Sequence, residues 1–146
     1  MILFCDTSAL VKLYLREDAS DLMMALAAAA PAIAVCRIAW AETMAALARR
    51  VRESPADAQP IEAVRKRLRN EWPDYAIVEV TQPLVELAGD YADIFALRGY
   101  DSVQLAAARI LQEAGGEELH FACFDARLER AANVLGMVTL ARDGQP

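Results

Sequence analysis

The sequence is poor in the residues on which many enzyme active sites depend. It contains one histidine, His120, and three cysteines among 146 residues. Cys5, Cys36 and Cys123 form an odd set without metal-site spacing, so we do not expect a disulfide framework and interpret them as small core residues. The histidine begins a predicted strand and leaves Ser-His-Asp and Cys-His mechanisms without a general base.

Long apolar runs and glycine-rich loops are also missing. The longest apolar stretch, 22–36, is interrupted by Pro31 and falls short of the ~18 residues that span a bilayer. The first residues lack the basic start of a signal peptide, and Asp6 interrupts their apolar run. Gly115-Gly116 is not followed by the Lys-Ser/Thr of a phosphate-binding loop. We therefore expect a cytoplasmic protein with no membrane partner.

Composition and charge predict one folded domain with an uneven charge distribution. The chain is 56% apolar and 25% charged, which is typical of a globular domain, here spanning 1–146. Its net charge is −6, but the stretch 49–69 holds seven basic and three acidic residues. This stretch could bind a polyanion locally, and solvated faces of two helices remain the alternative. Its candidate contact residues are Arg49, Arg50, Arg65, Lys66 and Arg69.

Short apolar runs alternate with longer helical patterns along the chain. This alternation predicts an α/β fold in which a parallel five-stranded sheet is flanked by helices. The tail at 141–146 is expected to fray. The predicted strands are 2–5, 32–36, 77–80, 119–124 and 137–140, and the predicted helices are 7–15, 19–30, 38–51, 60–72, 82–98, 100–115 and 126–135.

Four acidic residues lie where predicted strands end or helices begin. They are Asp6, Glu42, Asp101 and Asp125. The carboxyl ends of parallel strands share one crevice, and carboxylates gathered there would repel each other unless a cation lay among them. Oxygen ligands without imidazole or paired thiols suit Mg²⁺ or Mn²⁺. The pattern therefore predicts a metal site suited to phosphodiester chemistry.

Each acidic residue also has a structural interpretation. The three aspartates could each cap a helix N-terminus. Glu42 lies among apolar helix residues, so capping does not explain it, although a solvated helix face could. Ser8 could orient a carboxylate or simply supply a second hydroxyl at the helix start. The combination of the four, rather than any one, favours a site.

These segments resemble the PIN-domain family, and most closely its VapC-type toxin ribonucleases. The similarity runs through Asp6-Thr7-Ser8-Ala9-Leu10-Val11-Lys12-Leu13-Tyr14, Ala41-Glu42, Tyr100-Asp101-Ser102-Val103-Gln104-Leu105-Ala106 and the segment after Asp125. It implies divalent-metal-dependent RNA cleavage, a homodimer and inhibition by an antitoxin encoded alongside. By position, Asp6, Glu42, Asp101 and Asp125 would form the acidic site, with Ser8 supporting it. Cys36 and Cys123 replace residues that often carry hydroxyls in the family.

Three other functions share parts of this pattern. A receiver-like phosphoacceptor needs a lysine near the last strand, and no lysine follows Lys66. A haloacid-dehalogenase-like phosphatase would have an acid where Ser8 stands. A non-catalytic PIN-like module that binds RNA or protein remains open, because activity depends on geometry at the level of roughly an ångström.

Overall fold

The computed structural model describes residues 1–140, so the predicted fraying of 141–146 lies outside the described residues. Short 3₁₀ turns at Pro55–Asp57 and Trp72–Asp74 follow the third and fourth helices. Within the described part of the chain, no helix combines the length and apolar character needed to cross a bilayer. The strands are β1 (Ile2–Cys5), β2 (Ala32–Cys36), β3 (Ala76–Val78), β4 (Leu119–Ala122) and β5 (Val138–Thr139), and the helices are α1 (Thr7–Val11), α2 (Ser20–Ala29), α3 (Ala39–Glu53), α4 (Ala58–Glu71), α5 (Gln82–Phe95), α6 (Gly99–Gly115) and α7 (Ala126–Val134).

The five strands form one parallel sheet in the order β3-β2-β1-β4-β5. The central strand β1 pairs with β2 on one side and with β4 on the other, aligning Phe4 with Ala34 and with Phe121. Starting from the central strand β1, the chain therefore adds β2 and β3 on one side of it and then β4 and β5 on the other. The predicted parallel five-stranded sheet flanked by helices is confirmed.

Alternate residues of β1 face opposite helical layers. Phe4 packs with buried residues of α5, α6 and α7, and its ring stacks on Phe121 with centroids 5.5 Å apart. Leu3 and Cys5 pack on the other face with buried residues of α1 to α4. Since both faces are covered, the strands can be apolar throughout, as in other sheets built from βαβ units.

Helices α1 and α5 end four and three residues earlier than the sequence predicts. Helix α1 ends at Val11, and the next residues close tighter turns in which the amides of Leu13 and Tyr14 bond to carbonyls three residues back. Helix α5 ends at Phe95 because Ala96 adopts the left-handed conformation (φ 53°). This change of direction brings the segment before α6 to the carboxyl edge of the sheet.

The topology places the acidic residues at one edge. Asp6 directly follows β1, and Asp125 follows β4 after two intervening residues. These neighbouring strands lie where the sheet's order reverses, the position at which open parallel sheets bind ligands. Glu42 lies in the first turn of α3, the helix that follows β2. The fold therefore provides the crevice that the sequence predicts.

Candidate active site

Asp6 caps the N-terminus of α1 and is almost completely buried, with 5% of its surface exposed. Its Oδ1 accepts hydrogen bonds from the Ser8 hydroxyl (2.7 Å) and from the Ala9 amide (2.9 Å). Among residues 1–140, no hydrogen bond is donated to its Oδ2. The carboxylate is thus fixed by one oxygen and has the other available for a ligand.

Glu42 is fixed in the same manner by two residues from distant parts of the chain. Its Oε1 accepts hydrogen bonds from the Thr7 hydroxyl (2.7 Å) and from Nε2 of Gln104 (2.9 Å). The same Nε2 lies 3.1 Å from the Thr7 hydroxyl. Gln104 is buried on α6, so these contacts join α1, α3 and α6 around one carboxylate. Glu42 is therefore not a freely solvated helix residue.

Asp101 and Asp125 share a positive partner. The Arg98 guanidinium lies 3.1 Å from Oδ2 of Asp101 and 3.6 Å from Oδ2 of Asp125. Asp125 caps α7 through a hydrogen bond from the Leu128 amide, as predicted. Asp101 is not a cap, because Arg98 holds the N-cap position of α6 and Asp101 lies in the first turn. Capping therefore does not account for Asp101.

Ser8 connects the two halves of the crevice. Its hydroxyl donates to Asp6 and accepts a hydrogen bond from the Phe124 amide at 3.2 Å. Phe124 directly precedes Asp125, so this hydroxyl ties the start of α1 to the loop after β4. These contacts favour the predicted supporting role.

Burial and neighbouring charge raise the pKa of Asp6 from 3.8 to about 7. Loss of water around the carboxylate is the largest cause, and the negative charges of Asp101 and Glu42 add to it. The hydrogen bonds from Ser8 and Ala9 act in the opposite direction. Asp101 and Glu42 are therefore close enough to Asp6 to disfavour its charged form. A cation among them would lower this pKa.

We expect the contribution of Asp6 to the stability of the metal-free protein to fall as the pH rises from about 4 to about 7. A carboxyl group whose pKa is raised on folding keeps its proton in the folded state after the unfolded chain has lost it. Its stabilising contribution is complete below the unfolded pKa and disappears as the pH passes the folded pKa, by at most about 1.4 kcal/mol per pH unit. The measurement is urea unfolding in chelator, comparing the wild type with Asp6→Asn. Parallel stability profiles of the two proteins would contradict this expectation.

The donor chemistry of the crevice fits a hard divalent cation, although its side chains are not arranged around one. Asp6, Glu42, Asp101 and Asp125 supply only carboxylate oxygens, the ligands that Mg²⁺ and Mn²⁺ prefer. Across residues 1–140, no group of three or more His, Cys, Asp or Glu side chains is positioned to hold a metal ion. The free oxygens of Asp6 and Glu42 fit a cation, whereas Asp101 and Asp125 each direct an oxygen at Arg98.

The predicted polyanion-binding stretch lies on α3 and α4, where nearby acids neutralise much of its charge. Four ion pairs account for this: Arg49 with Glu53, Arg50 with Asp57, Arg65 with Glu62, and Arg67 with Glu71. Lys66 and Arg69 are exposed, and the Arg69 guanidinium lies 6.0 Å from the Trp40 ring centroid. Binding of a polyanion at this stretch stays a prediction.

The three cysteines are buried and free, in agreement with their interpretation as core residues. Burial raises the pKa of the Cys123 thiol to about 12, so this sulfur stays protonated near neutral pH. Its Sγ lies 3.6 Å from the Asp125 carbonyl oxygen, a weak contact that leaves the carboxylate without support from that position.

Three residues at this crevice were not predicted as site residues: Thr7, Gln104 and Arg98. Thr7 and Gln104 lie inside the segments that resemble the PIN family, but neither carries a charge that would single it out. Arg98 precedes a predicted helix start, a position with no signal of its own. Their roles depend on contacts between residues that are as many as 97 positions apart in the sequence.

Known proteins share both the sequence pattern and the fold. The PIN domain family matches residues 3–134. Ribonuclease VapC45 of Mycobacterium tuberculosis is 33% identical over 135 residues, which cover 92% of this chain and 92% of that protein. FitAcB from Neisseria gonorrhoeae superposes with a TM-score of 0.67 at 17% identity, covering 95% of this chain and 96% of that chain. A toxin-antitoxin complex from Klebsiella pneumoniae gives 0.61 at 21% identity, covering 86% and 87%.

At these identities, the two solved structures show the fold alone. The family match and the 33% identity to VapC45 establish family membership as well as the fold, because each extends over most of the chain. They agree with the resemblance drawn from the Asp6, Glu42, Asp101 and Asp125 segments. The chain therefore belongs to the PIN domain family, among its VapC-type members.

Proposed function

We propose that this protein is a divalent-metal-dependent endoribonuclease and acts as the toxin of a toxin-antitoxin pair. The observation that carries the proposal is the buried Asp6 carboxylate, held by one oxygen beside Glu42 and Asp101 at the reversal point of the sheet. A buried carboxylate kept beside two like charges that disfavour its ionised form is typical of a functional site. The relatives named as VapC ribonucleases support RNA as the substrate.

In this proposal, Asp6, Glu42, Asp101 and Asp125 hold one or two Mg²⁺ or Mn²⁺ ions. A metal held there would supply a water of lowered pKa and would stabilise negative charge on the phosphate in the transition state. The chain's own contribution is to fix the ligands: Ser8 and the Ala9 amide orient Asp6. Thr7 and Gln104 orient Glu42 in the same way. Hydrolysis adds water across one phosphodiester bond and yields two RNA fragments.

The proposed partners are a small antitoxin protein and a second copy of this chain. The similar Klebsiella pneumoniae structure is a toxin-antitoxin complex, which supports an antitoxin partner for a chain of the same fold. The homodimer follows from the family resemblance, and the cytoplasm is where such a nuclease would meet its RNA.

The test is cleavage of a panel of structured and single-stranded RNAs by purified, antitoxin-free protein. We expect cleavage with Mg²⁺ or Mn²⁺, none with chelator, and none by a folded Asp101→Asn variant. Asp101 lies in the first turn of α6 with its carboxylate toward Arg98, so Asn preserves its shape while removing a charged ligand. Full turnover by Asp101→Asn would remove Asp101 from the mechanism.

The second candidate is a non-catalytic PIN-like module that binds RNA or protein. It is favoured by the side-chain positions in residues 1–140, which do not converge on a common metal position. RNA binding without metal-dependent cleavage on every RNA of the panel would support this candidate over the nuclease.

A further inference from the structure

A cleft of about 320 Å³ opens beside two of the four acidic residues, between the segment before α6 and the start of α7. Asp101 and Asp125 form its acidic part. Arg98, Arg127 and Arg130 supply three positive charges to the same lining. The cleft therefore joins the candidate metal ligands to a cationic surface formed by α7 and the segment before α6.

The three arginines are held to different degrees. Arg127 donates a hydrogen bond to the Ala96 carbonyl oxygen at 2.9 Å, which fixes its guanidinium at the rim. Arg98 contacts both carboxylates although its side chain is 79% exposed. Arg130 is exposed and makes no hydrogen bond or ion pair with any other residue in 1–140. The Arg127 guanidinium is thus fixed at the rim, and the Arg130 guanidinium is available to bind an anion.

Its position beside the acidic residues, rather than its net charge, makes this cleft a better site for a substrate phosphate than the stretch at 49–69. A protein with a net charge of −6 and an acidic crevice repels an RNA backbone unless positive groups lie beside that crevice. The arginines of α3 and α4 are paired mainly with acids of their own helices or the adjoining turn. In the cleft, three arginines face two carboxylates, and a metal ion would neutralise those carboxylates further.

Exposed aromatic rings occur next to the same acids. Tyr100 and Phe124 directly precede Asp101 and Asp125, and they are 66% and 38% exposed. Exposed rings can stack on unpaired bases, which double-stranded RNA does not present. The Phe124 ring has the Lys12 ammonium 4.6 Å from its centroid, so Tyr100 is the ring that an unpaired base can reach without displacing a side chain.

We propose that this cleft binds the two RNA phosphates next to the one that is cleaved, with Arg127 and Arg130 each positioning one of them. The proposal rests on the endoribonuclease function above. It assigns substrate alignment to α7 rather than to the basic residues of α3 and α4. Each guanidinium that contacts a phosphate releases a counterion, so each contributes to the salt dependence of binding.

The test measures the affinity of a fluorescein-labelled, mixed-sequence single-stranded RNA across a salt series. The proteins carry Asp6→Asn and constant Mg²⁺, and the RNA is checked for intactness on a gel. We expect Arg127→Gln/Arg130→Gln to flatten the plot of log affinity against log salt by about 1.4, since each phosphate contact on a single strand contributes about 0.7. Arg65→Gln/Lys66→Gln removes the same charge and should leave the slope unchanged.

Two further variants separate charge from fold. Arg130→Gln alone leaves the Arg127 bond to Ala96 intact and should flatten the slope by about 0.7, and Arg130→Lys should restore it. The proposal would be overturned if Arg127→Gln/Arg130→Gln kept the same slope of log affinity against log salt as the parent protein. It would also be overturned if only Arg65→Gln/Lys66→Gln flattened that slope. If the protein bound RNA and the α7 substitutions did not change that binding, the phosphate site would be wrong but the proposed endoribonuclease function would be unaffected. If the parent protein did not bind RNA at all, both the phosphate site and the endoribonuclease function would be contradicted.

Discussion

Replacing Asp6 by Asn is expected to lower RNA cleavage by more than about 100-fold while leaving the protein folded. A metal ion contributes several kcal/mol to phosphodiester hydrolysis, and each 1.4 kcal/mol changes the rate about tenfold. Asn keeps an oxygen that can accept the hydrogen bonds from Ser8 and Ala9. It removes the negative charge through which Asp6 would hold the cation. The measurement is single-turnover cleavage of an RNA that the wild type cuts, at saturating Mg²⁺.

The thermal stability of the same variant separates a catalytic loss from a folding defect. Above about pH 7, the wild-type carboxylate is charged and buried beside Asp101 and Glu42, whereas Asn is neutral. Asp6→Asn should therefore melt at or above the wild-type temperature in chelator. Added Mg²⁺ should raise the melting temperature of the wild type more than that of the variant, because a ligand stabilises the state that binds it. Wild-type turnover in the folded variant would exclude Asp6 from the reaction.

A substitution that removes activity and adds stability is expected where a site concentrates like charges. In the absence of a cation, Glu42 and Asp101 disfavour the charged form of Asp6. The surrounding fold compensates through the buried core on both faces of β1. Such opposition between stability and function is common at active sites.

The fold and the edge of the sheet at which the acidic residues gather could be predicted because their signals are local. Apolar runs of four or five residues locate β1 and β2, and both have the predicted bounds. The predicted end of β4 was too late by two residues, because the apolar Cys123 and Phe124 leave the sheet to form the loop before Asp125. Hydrophobicity marks which residues avoid water, but it does not show where the backbone pairing stops.

The contacts that orient the carboxylates could not be predicted, because they depend on pairs of residues far apart in the chain. Arg98 is three residues from Asp101 but meets Asp125 only after α6 and β4 have returned the chain to the same edge. The left-handed Ala96 that directs this segment is an alanine, not the glycine that would have indicated such a turn. A sequence pattern predicts which carboxylates gather, whereas their partners depend on the assembled fold.

Gln104 provides the strongest test of those long-range contacts. Replacing it by Leu, a residue of similar size, removes the donor to Glu42 and to Thr7 without opening a large cavity. Loss of a group that orients a metal ligand costs about 10- to 100-fold in metal affinity or activity. We therefore expect Gln104→Leu to weaken Mn²⁺ binding and to reduce cleavage by that factor. The two measurements are Mn²⁺ titration calorimetry and cleavage rates across an Mn²⁺ series.

The matched control is Gln112→Leu, two turns further along the same helix. Its Nε2 donates to the Leu135 carbonyl oxygen, away from the acidic residues, so the substitution tests the general cost of losing a glutamine bond on α6. Excess Mn²⁺ should restore much of the activity of Gln104→Leu if the residue acts by orienting Glu42, and it should change Gln112→Leu no more than the wild type. Equal losses in both variants, or a Gln104→Leu defect insensitive to Mn²⁺, would assign Gln104 a purely structural role.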